Sequence, residues 1–320
     1  MDNNKALFNQ IDPGTQCEAL TVNQSDLFPG LDSPLVGKVK GERASMAFPF
    51  FALSKGRRMT PLLYKDGNVS IEIRPSSTGL ATIYDKEILL YVASLMVEKM
   101  NEGVEPGQEF SFTAHDFLRV TGSNRSARSY DRISKALERL QGTQVRTNIE
   151  AGGEGEDGFF SWVSEAKVQY YRTGNDKKRL KAITIRLCDW LYRAIKKDTR
   201  ILTYNQRYFS LSPVARRLYE LARSHCGYQE RFVIGLEKLR KKVGSEDTLA
   251  KFKHQLSKIA EEDQLPEYSI ELAFDPKKPC LLQHNGTDAP KRLRKNGQVL
   301  AVFYPKPNKN PALNYVSPRS

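Results

Sequence analysis

Between Phe112 and Ile149 the apolar and polar positions follow a helical period, break at a turn and resume. Ala114 to Val120 predicts a short helix capped by Thr113, Gly122-Ser123-Asn124 a turn, and Ser126 to about Gln141 a longer helix leading into a strand. In the longer helix Tyr130, Ile133, Leu137 and Leu140 recur at i, i+3, i+7 and i+10, so they share a face expected to pack on a core. Arg128, Arg132, Lys135 and Arg139 take the other face. A tight turn followed by a helix that is apolar inward and basic outward is the layout of a helix-turn-helix, whose exposed side enters a DNA major groove. A solvated amphipathic helix shows the same pattern, so this segment alone leaves both readings open.

Upstream, Asp-Gly at 66–67 separates two apolar runs, and Val69, Ile71 and Ile73 alternate as in a half-buried strand, which predicts a hairpin. Asp85 to Asn101 predicts a helix with a stripe of Ile88, Leu89, Val92, Leu95, Met96 and Met100, and Glu109 to Thr113 a short strand. The glycine-rich acidic stretch after Ile149 is expected to be a loop tip, and Phe160 to Arg172 to return as the second strand of a ribbon begun before Ile149. Helix, strand, helix, helix and ribbon is a winged-helix order. Arg146, Lys167 and Arg172 are then expected on the wing.

After a strand at 180–187 and a helix capped by Asp189, the pattern begins again. Pro213 to Cys226 predicts a helix with proline in its first turn, Leu236 to Val243 a short helix, Gly244-Ser245 a turn, and Asp247 to Glu261 a longer helix. Leu249, Phe252, Leu256 and Ile259 repeat the spacing, with Lys251, His254 and Lys258 outward. Tyr268 to Phe274 and Gln298 to Tyr304 supply wing strands around a basic loop containing Lys291, Arg292, Arg294 and Lys295. Val120-Thr121-Gly122-Ser123 and Lys242-Val243-Gly244-Ser245 mark the same junction twice, which points to internal duplication. The expected fold is α+β: two tandem winged-helix domains in pseudo-repeat, at 47–200 and 201–304, with disordered tails at 1–46 and 305–320.

Composition narrows the partner. A net charge of +13 on 320 residues favours a polyanion, because lysines and arginines that neutralise phosphates release condensed counterions. No apolar run approaches the ~18 residues of a membrane span, and the first residues lack a signal peptide's basic and apolar regions, so a cytoplasmic protein without membrane association is expected. Cys17, Cys188, Cys226 and Cys280 have no metal-ligand spacing and read as reduced thiols.

No catalytic constellation appears. A GxxxxGK[ST] phosphate loop is missing, the histidines are isolated, and Tyr170, Tyr171, Tyr204 and Tyr208 sit in apolar or strand contexts where packing explains them. No cofactor, metal site or enzymatic activity is expected. Within the first tail, Gln24-Ser25-Asp26-Leu27-Phe28 resembles the bacterial sliding-clamp-binding pentapeptide, in which Leu and Phe fill an apolar pocket while Gln anchors by hydrogen bonds.

Three long stretches, Phe48 to Ser94, Gly122 to Ile149 and Ile201 to Gly227, resemble the replication initiator protein A family of bacterial plasmid initiators. The resemblance implies a protein that binds repeated sites in a double-stranded plasmid origin, promotes melting and helps load the host replisome without catalysis. It implies base reading by Arg125, Ser126, Arg128, Ser129 and Arg132, and by Lys251, Lys253, His254 and Lys258. Arg139, Arg146 and the Lys291 to Lys295 loop, with Lys135, then meet the backbone. The sliding clamp through Gln24, Asp26, Leu27 and Phe28, DnaA, the replicative helicase and a second copy of the chain are candidate partners. A winged-helix repressor and a nicking or recombining enzyme are the alternatives.

Overall fold

The computed structural model describes residues 31–53, 56–155, 157–172, 178–198, 200–227, 229–274 and 299–307. The chain opens with strand β1 (Lys40–Glu42), helix α1 (Arg43–Ala47), and the predicted hairpin β2 (Leu62–Asp66) and β3 (Val69–Arg74). Helix α2 (Lys86–Asn101) follows. It is buried on all sides from Lys86 to Val97, more than the predicted stripe, and serves as the spine of the first half. Then come β4 (Glu109–Phe112), α3 (Ala114–Val120), α4 (Ala127–Gly142) and β5 (Gln144–Thr147). The last elements of this half are β6 (Phe160–Ser161), β7 (Val163–Arg172), β8 (Lys178–Leu187) and α5 (Asp189–Lys196). Asp189 is not the cap of that helix; Cys188 holds the N-cap position, without a side-chain hydrogen bond.

The second half starts with β9 (Ile201–Thr203), a 3-10 turn at Gln206–Ser210 and α6 (Pro213–Cys226), which Ser212 caps by accepting from Ala215 N. A strand unforeseen in the sequence, β10 (Phe232–Gly235), precedes α7 (Leu236–Val243) and α8 (Leu249–Glu261). β11 (Tyr268–Phe274) and β12 (Val299–Pro305) complete it.

The duplication is visible in the sheets. β4, β8 and β7 form an antiparallel sheet in the order β4-β8-β7, and β10, β12 and β11 one in the order β10-β12-β11. In each half the strand before the helix-turn-helix pairs with the last wing strand. Each is therefore a winged helix: α2-β4-α3-α4-β7-β8 and α6-β10-α7-α8-β11-β12.

Three expectations need correction. The first wing is β7-β8, not the ribbon 143–149 with 160–172. β5 pairs instead with β3 and β6, closing the sheet β2-β3-β5-β6, so Arg146 lies on that added sheet and off the wing. The chain changes sheets at Trp162, which is fully buried against Phe50, Phe51, Phe160 and Trp190.

Second, residues 31–46 are not tail. Asp32 accepts from Ser111 N at 2.6 Å and pairs with Lys99, Leu35 N donates to Asp116 at 2.9 Å, Gly37 N to Glu98 at 2.7 Å and Lys40 N to Ser94 at 2.8 Å. These bonds strap the segment along α2 as far as α3. β1 then crosses to β9 of the other half. At the C-terminal end β12 runs through Pro305, and Lys306 binds Asp263 at 2.6 Å, so the tail does not begin at 305.

Third, Tyr130 does not pack inward. It is 36% exposed, and Ser129 takes the buried place beside Ile133, Ala136, Leu137 and Leu140.

The halves meet through charge. Where the start of α2 meets the middle of α6, Glu220 is buried and accepts from Lys86 at 2.6 Å, from Arg217, and from the hydroxyls of Tyr204 and Tyr208 at 3.0 and 2.9 Å. Arg217 also donates to Met46 O and Lys242 O, and Arg216 pairs with Glu87 at 2.6 Å. Burial pushes the Glu220 carboxyl up, but the Lys86 ammonium and Arg217 guanidinium outweigh it and hold the group below the usual carboxylate range. Arg58 adds a 2.5 Å pair to Glu246 at the second helix-turn-helix. A buried ion cluster of this kind is costly to leave half-made, so its members hold their geometry together.

Candidate nucleic-acid interface

The first helix-turn-helix is built by local capping. Thr113 Oγ1 accepts from Asp116 N at 3.1 Å to start α3, and Thr121 and Ser123 satisfy its last carbonyls. Gly122 turns the chain at φ 67°, a left-handed conformation that glycine adopts without strain. Ser126 then caps α4 by accepting from Ser129 N at 3.3 Å. Asp116, buried in α3, accepts from Leu35 N, Tyr91 and Arg119, so the motif is anchored to both the strap and the spine.

Arg125, Arg128 and Arg132 are exposed and form no ion pair among the described residues. With about 100° between successive residues, the positions opposite the buried face belong to Asp131 and Glu138. Arg128 and Arg132 therefore make a flank of α4, with Arg125 just before its N-cap and Tyr130 and Ser134 on the other flank. Lys135 is paired with Asp131 at 2.8 Å. Arg139 is spoken for: it donates twice to Asp85, at 2.8 and 2.7 Å, at the entry to α2. Ser129 is buried, and the Ser126 hydroxyl is occupied by the cap. Arg146 pairs with Asp157 at 2.8 Å on the added sheet. Of the wing residues, Lys167 is exposed and paired with Glu165, next to exposed Val168 and Tyr170; nothing is described of the Arg172 side chain.

The basic flank faces the joint. Arg139 reaches Asp85, and the charge of Arg132 acts on Glu87, where, after Arg216, it opposes the upward push of burial on that carboxyl. Arg132 thus lies on the side of α4 that faces the first turn of α2.

The second helix-turn-helix uses the same parts. Gly244 closes α7 in the left-handed region at φ 78°, and Thr248 caps α8 by accepting from Lys251 N at 3.3 Å. Phe252, Leu256 and Ile259 point inward as predicted. Lys251 is bound to Asp247 at 2.5 Å and Lys258 lies 3.7 Å from Glu262, while His254 is exposed and Lys253 half-buried. Lys291, Arg292, Arg294 and Lys295 lie outside the described residues, as do Gln24, Asp26, Leu27 and Phe28.

The profile of replication initiator protein A matches residues 40–270. The chain belongs to this family. A relative from Wigglesworthia glossinidia brevipalpis, named as a replication protein, is 36% identical over 242 residues, covering 75% of this chain and 86% of its own. Among solved structures, domains 2 and 3 of RctB superpose with a TM-score of 0.55 over 82% of this chain and 96% of that one. At 13% identity that likeness is one of fold.

As a member of the replication initiator protein A family the chain is a replication initiator, and its two halves match a two-domain arrangement already seen. Among the described residues of this initiator no group of His, Cys, Asp or Glu could hold a metal ion, and no helix is long and apolar enough to cross a membrane. Cys188 and Cys226 are free and buried. Tyr130, which its spacing and aromatic character alone place in the core, is a surface residue of α4, and Ser129 one position earlier is buried in its stead.

Proposed function

We propose that this initiator binds repeated sites in a double-stranded plasmid origin through its two winged helices, promotes local melting and helps load the replisome, without catalysing a reaction. The observation that carries the reading is the trio Arg125, Arg128 and Arg132, exposed and unneutralised at the start of a capped recognition helix. Guanidinium groups placed there can bind guanine edges bidentately, each discriminating by about 1–3 kcal/mol. On α8, Lys251, Lys253, His254 and Lys258 take the supporting role of positioning on phosphates, since ammonium groups are point charges without the planar fork. Ser126 and Lys135 contribute at the rim of the first helix. Ser129, Arg139 and Arg146 are left out of the interface: Ser129 is buried, Arg139 is held twice by the largely buried Asp85, and Arg146 lies on the added sheet rather than on the wing.

The protein acts in the cytoplasm. Through Gln24, Asp26, Leu27 and Phe28 it recruits the sliding clamp; DnaA, the replicative helicase and a second copy of the chain are its other partners, and Lys291, Arg292, Arg294 and Lys295 add charge at the second wing. Footprinting of the purified protein on DNA flanking its own gene, titrated with salt, tests the reading. Protection of several evenly spaced direct repeats is expected. A single inverted repeat would make the protein a repressor instead, and no sequence-specific protection at any salt would end the DNA-reading proposal.

A further inference from the structure

The 3-10 turn Gln206–Ser210, near the start of the second half, is tied at one end to the first helix-turn-helix and at the other to the first turns of α6 and α2. At one end Gln206 Nε2 donates to Val120 O at 2.6 Å, the last carbonyl of α3 before the turn that aims α4. At the other, Arg216 donates to Phe209 O and, at 3.0 Å, to Leu211 O while pairing with Glu87 at 2.6 Å, the carboxylate on which Arg132 acts. The turn is further set by Asn205, whose side chain accepts from Arg207 N at 3.0 Å and whose own N donates to Tyr219 at 2.9 Å. Between these ties stands Arg207, exposed and with no ion pair among the described residues.

We infer that Arg207 belongs to the DNA interface and binds a backbone phosphate of the duplex whose groove α4 enters. The inference rests on the DNA-binding reading given above. The argument is one of continuity and charge. The basic flank of α4 faces the joint rather than directly outward, and the segment occupying the joint beside it presents a guanidinium with no carboxylate to neutralise it. A duplex laid along Arg125, Arg128 and Arg132 therefore meets Arg207 at the boundary of the halves. Because the turn is braced by Gln206 and Arg216, the guanidinium is held on a rigid base, and its phosphate contact fixes register without reading sequence.

The experiment compares wild type, Arg207→Ala and Arg207→Lys on an origin repeat and on a random duplex of equal length, each over a range of salt. One phosphate contact is worth about 0.9 in the slope of log K against log salt. Arg207→Ala is expected to lower the slope by about that amount on both duplexes, with the ratio of specific to random affinity unchanged. Arg207→Lys is expected to restore the slope, and all three proteins to melt at the same temperature. An unchanged slope in Arg207→Ala while wild type still discriminates the origin repeat overturns this inference alone. An equal loss in Arg207→Lys overturns it too, since charge would not be the cause. A wild type that fails to discriminate the two duplexes removes the DNA-binding reading itself.

Discussion

The two recognition helices sit in the same topology and differ in the charge pairing of their leading cations. On α4 the leading arginines are left without carboxylate partners, whereas on α8 Lys251 and Lys258 are each answered by an acid four residues away. An internal i,i+4 pair is worth only about 0.3–0.5 kcal/mol on a helix surface, so it does not explain folding. Its effect is on binding: a lysine that must leave Asp247 to meet a phosphate gains less than an arginine with no partner to leave. Under the proposed function, this difference gives the first copy the reading of bases and the second the holding of the backbone.

The largest effect should come from separating the copies. Glu220→Ala leaves Lys86 and Arg217 buried without their counter-charge and two tyrosine hydroxyls without an acceptor, at a cost of about 3–5 kcal/mol. Denaturant unfolding followed by tryptophan fluorescence, which reports the first half through Trp162 and Trp190, and by far-ultraviolet circular dichroism, which reports both, will show whether the halves then unfold apart. Coincident transitions at wild-type midpoint would mean the joint is not what unites them.

Next in size, Arg128→Ala should cost about 1–3 kcal/mol of origin affinity and little on random DNA. Lys251→Ala should weaken binding to both alike and reduce the salt slope by no more than about 1. Gel-shift titrations of the two variants side by side decide it: if Lys251→Ala is the one that loses discrimination, the division of labour runs the other way.

The smallest effect is in pH. The Glu220 pKa is depressed by folding, so its stabilisation is complete at and above the ordinary carboxylate range and is lost as pH falls below it. Glu42 and Glu87, raised mainly by burial, act in the opposite sense and favour the folded state on acidification. The melting-temperature gap between wild type and Glu220→Gln should hold steady from neutral pH down to that range and narrow below it. A gap that widens in acid would mean Glu220 is protonated in the native protein.

What could be read in advance follows from the range of the forces involved. Both helix-turn-helix units rest on local rules, caps at Thr113, Ser126 and Thr248 and glycines at 122 and 244, and these are written within a few residues. The first wing was misplaced because Phe160 to Arg172 is an unbroken strand pattern, and nothing in it marks that Phe160–Ser161 pairs with β5 while Val163 onward pairs with β8. The switch depends on Trp162 finding four aromatic neighbours, Phe50 and Phe51 among them, far away in sequence. The joint was invisible for the same reason: Lys86, Glu87, Arg216, Arg217 and Glu220 look like ordinary helix-surface charges until their partners, more than a hundred residues distant, are in place. At the candidate site, exposure and helix position were legible for Arg125, Arg128 and Arg132. The fate of Arg139 was not, because it depends on Asp85.

The strap along the spine sets a leash length. Asp32 is fastened to Ser111 N and Lys99, and Phe28 lies only four residues before it in the chain. Fully extended, those residues span about 14 Å. A clamp ring engaged at Gln24 to Phe28 would therefore ride almost against the first winged helix, delivered to the DNA at the initiator's own footprint rather than trawled for on a long tether.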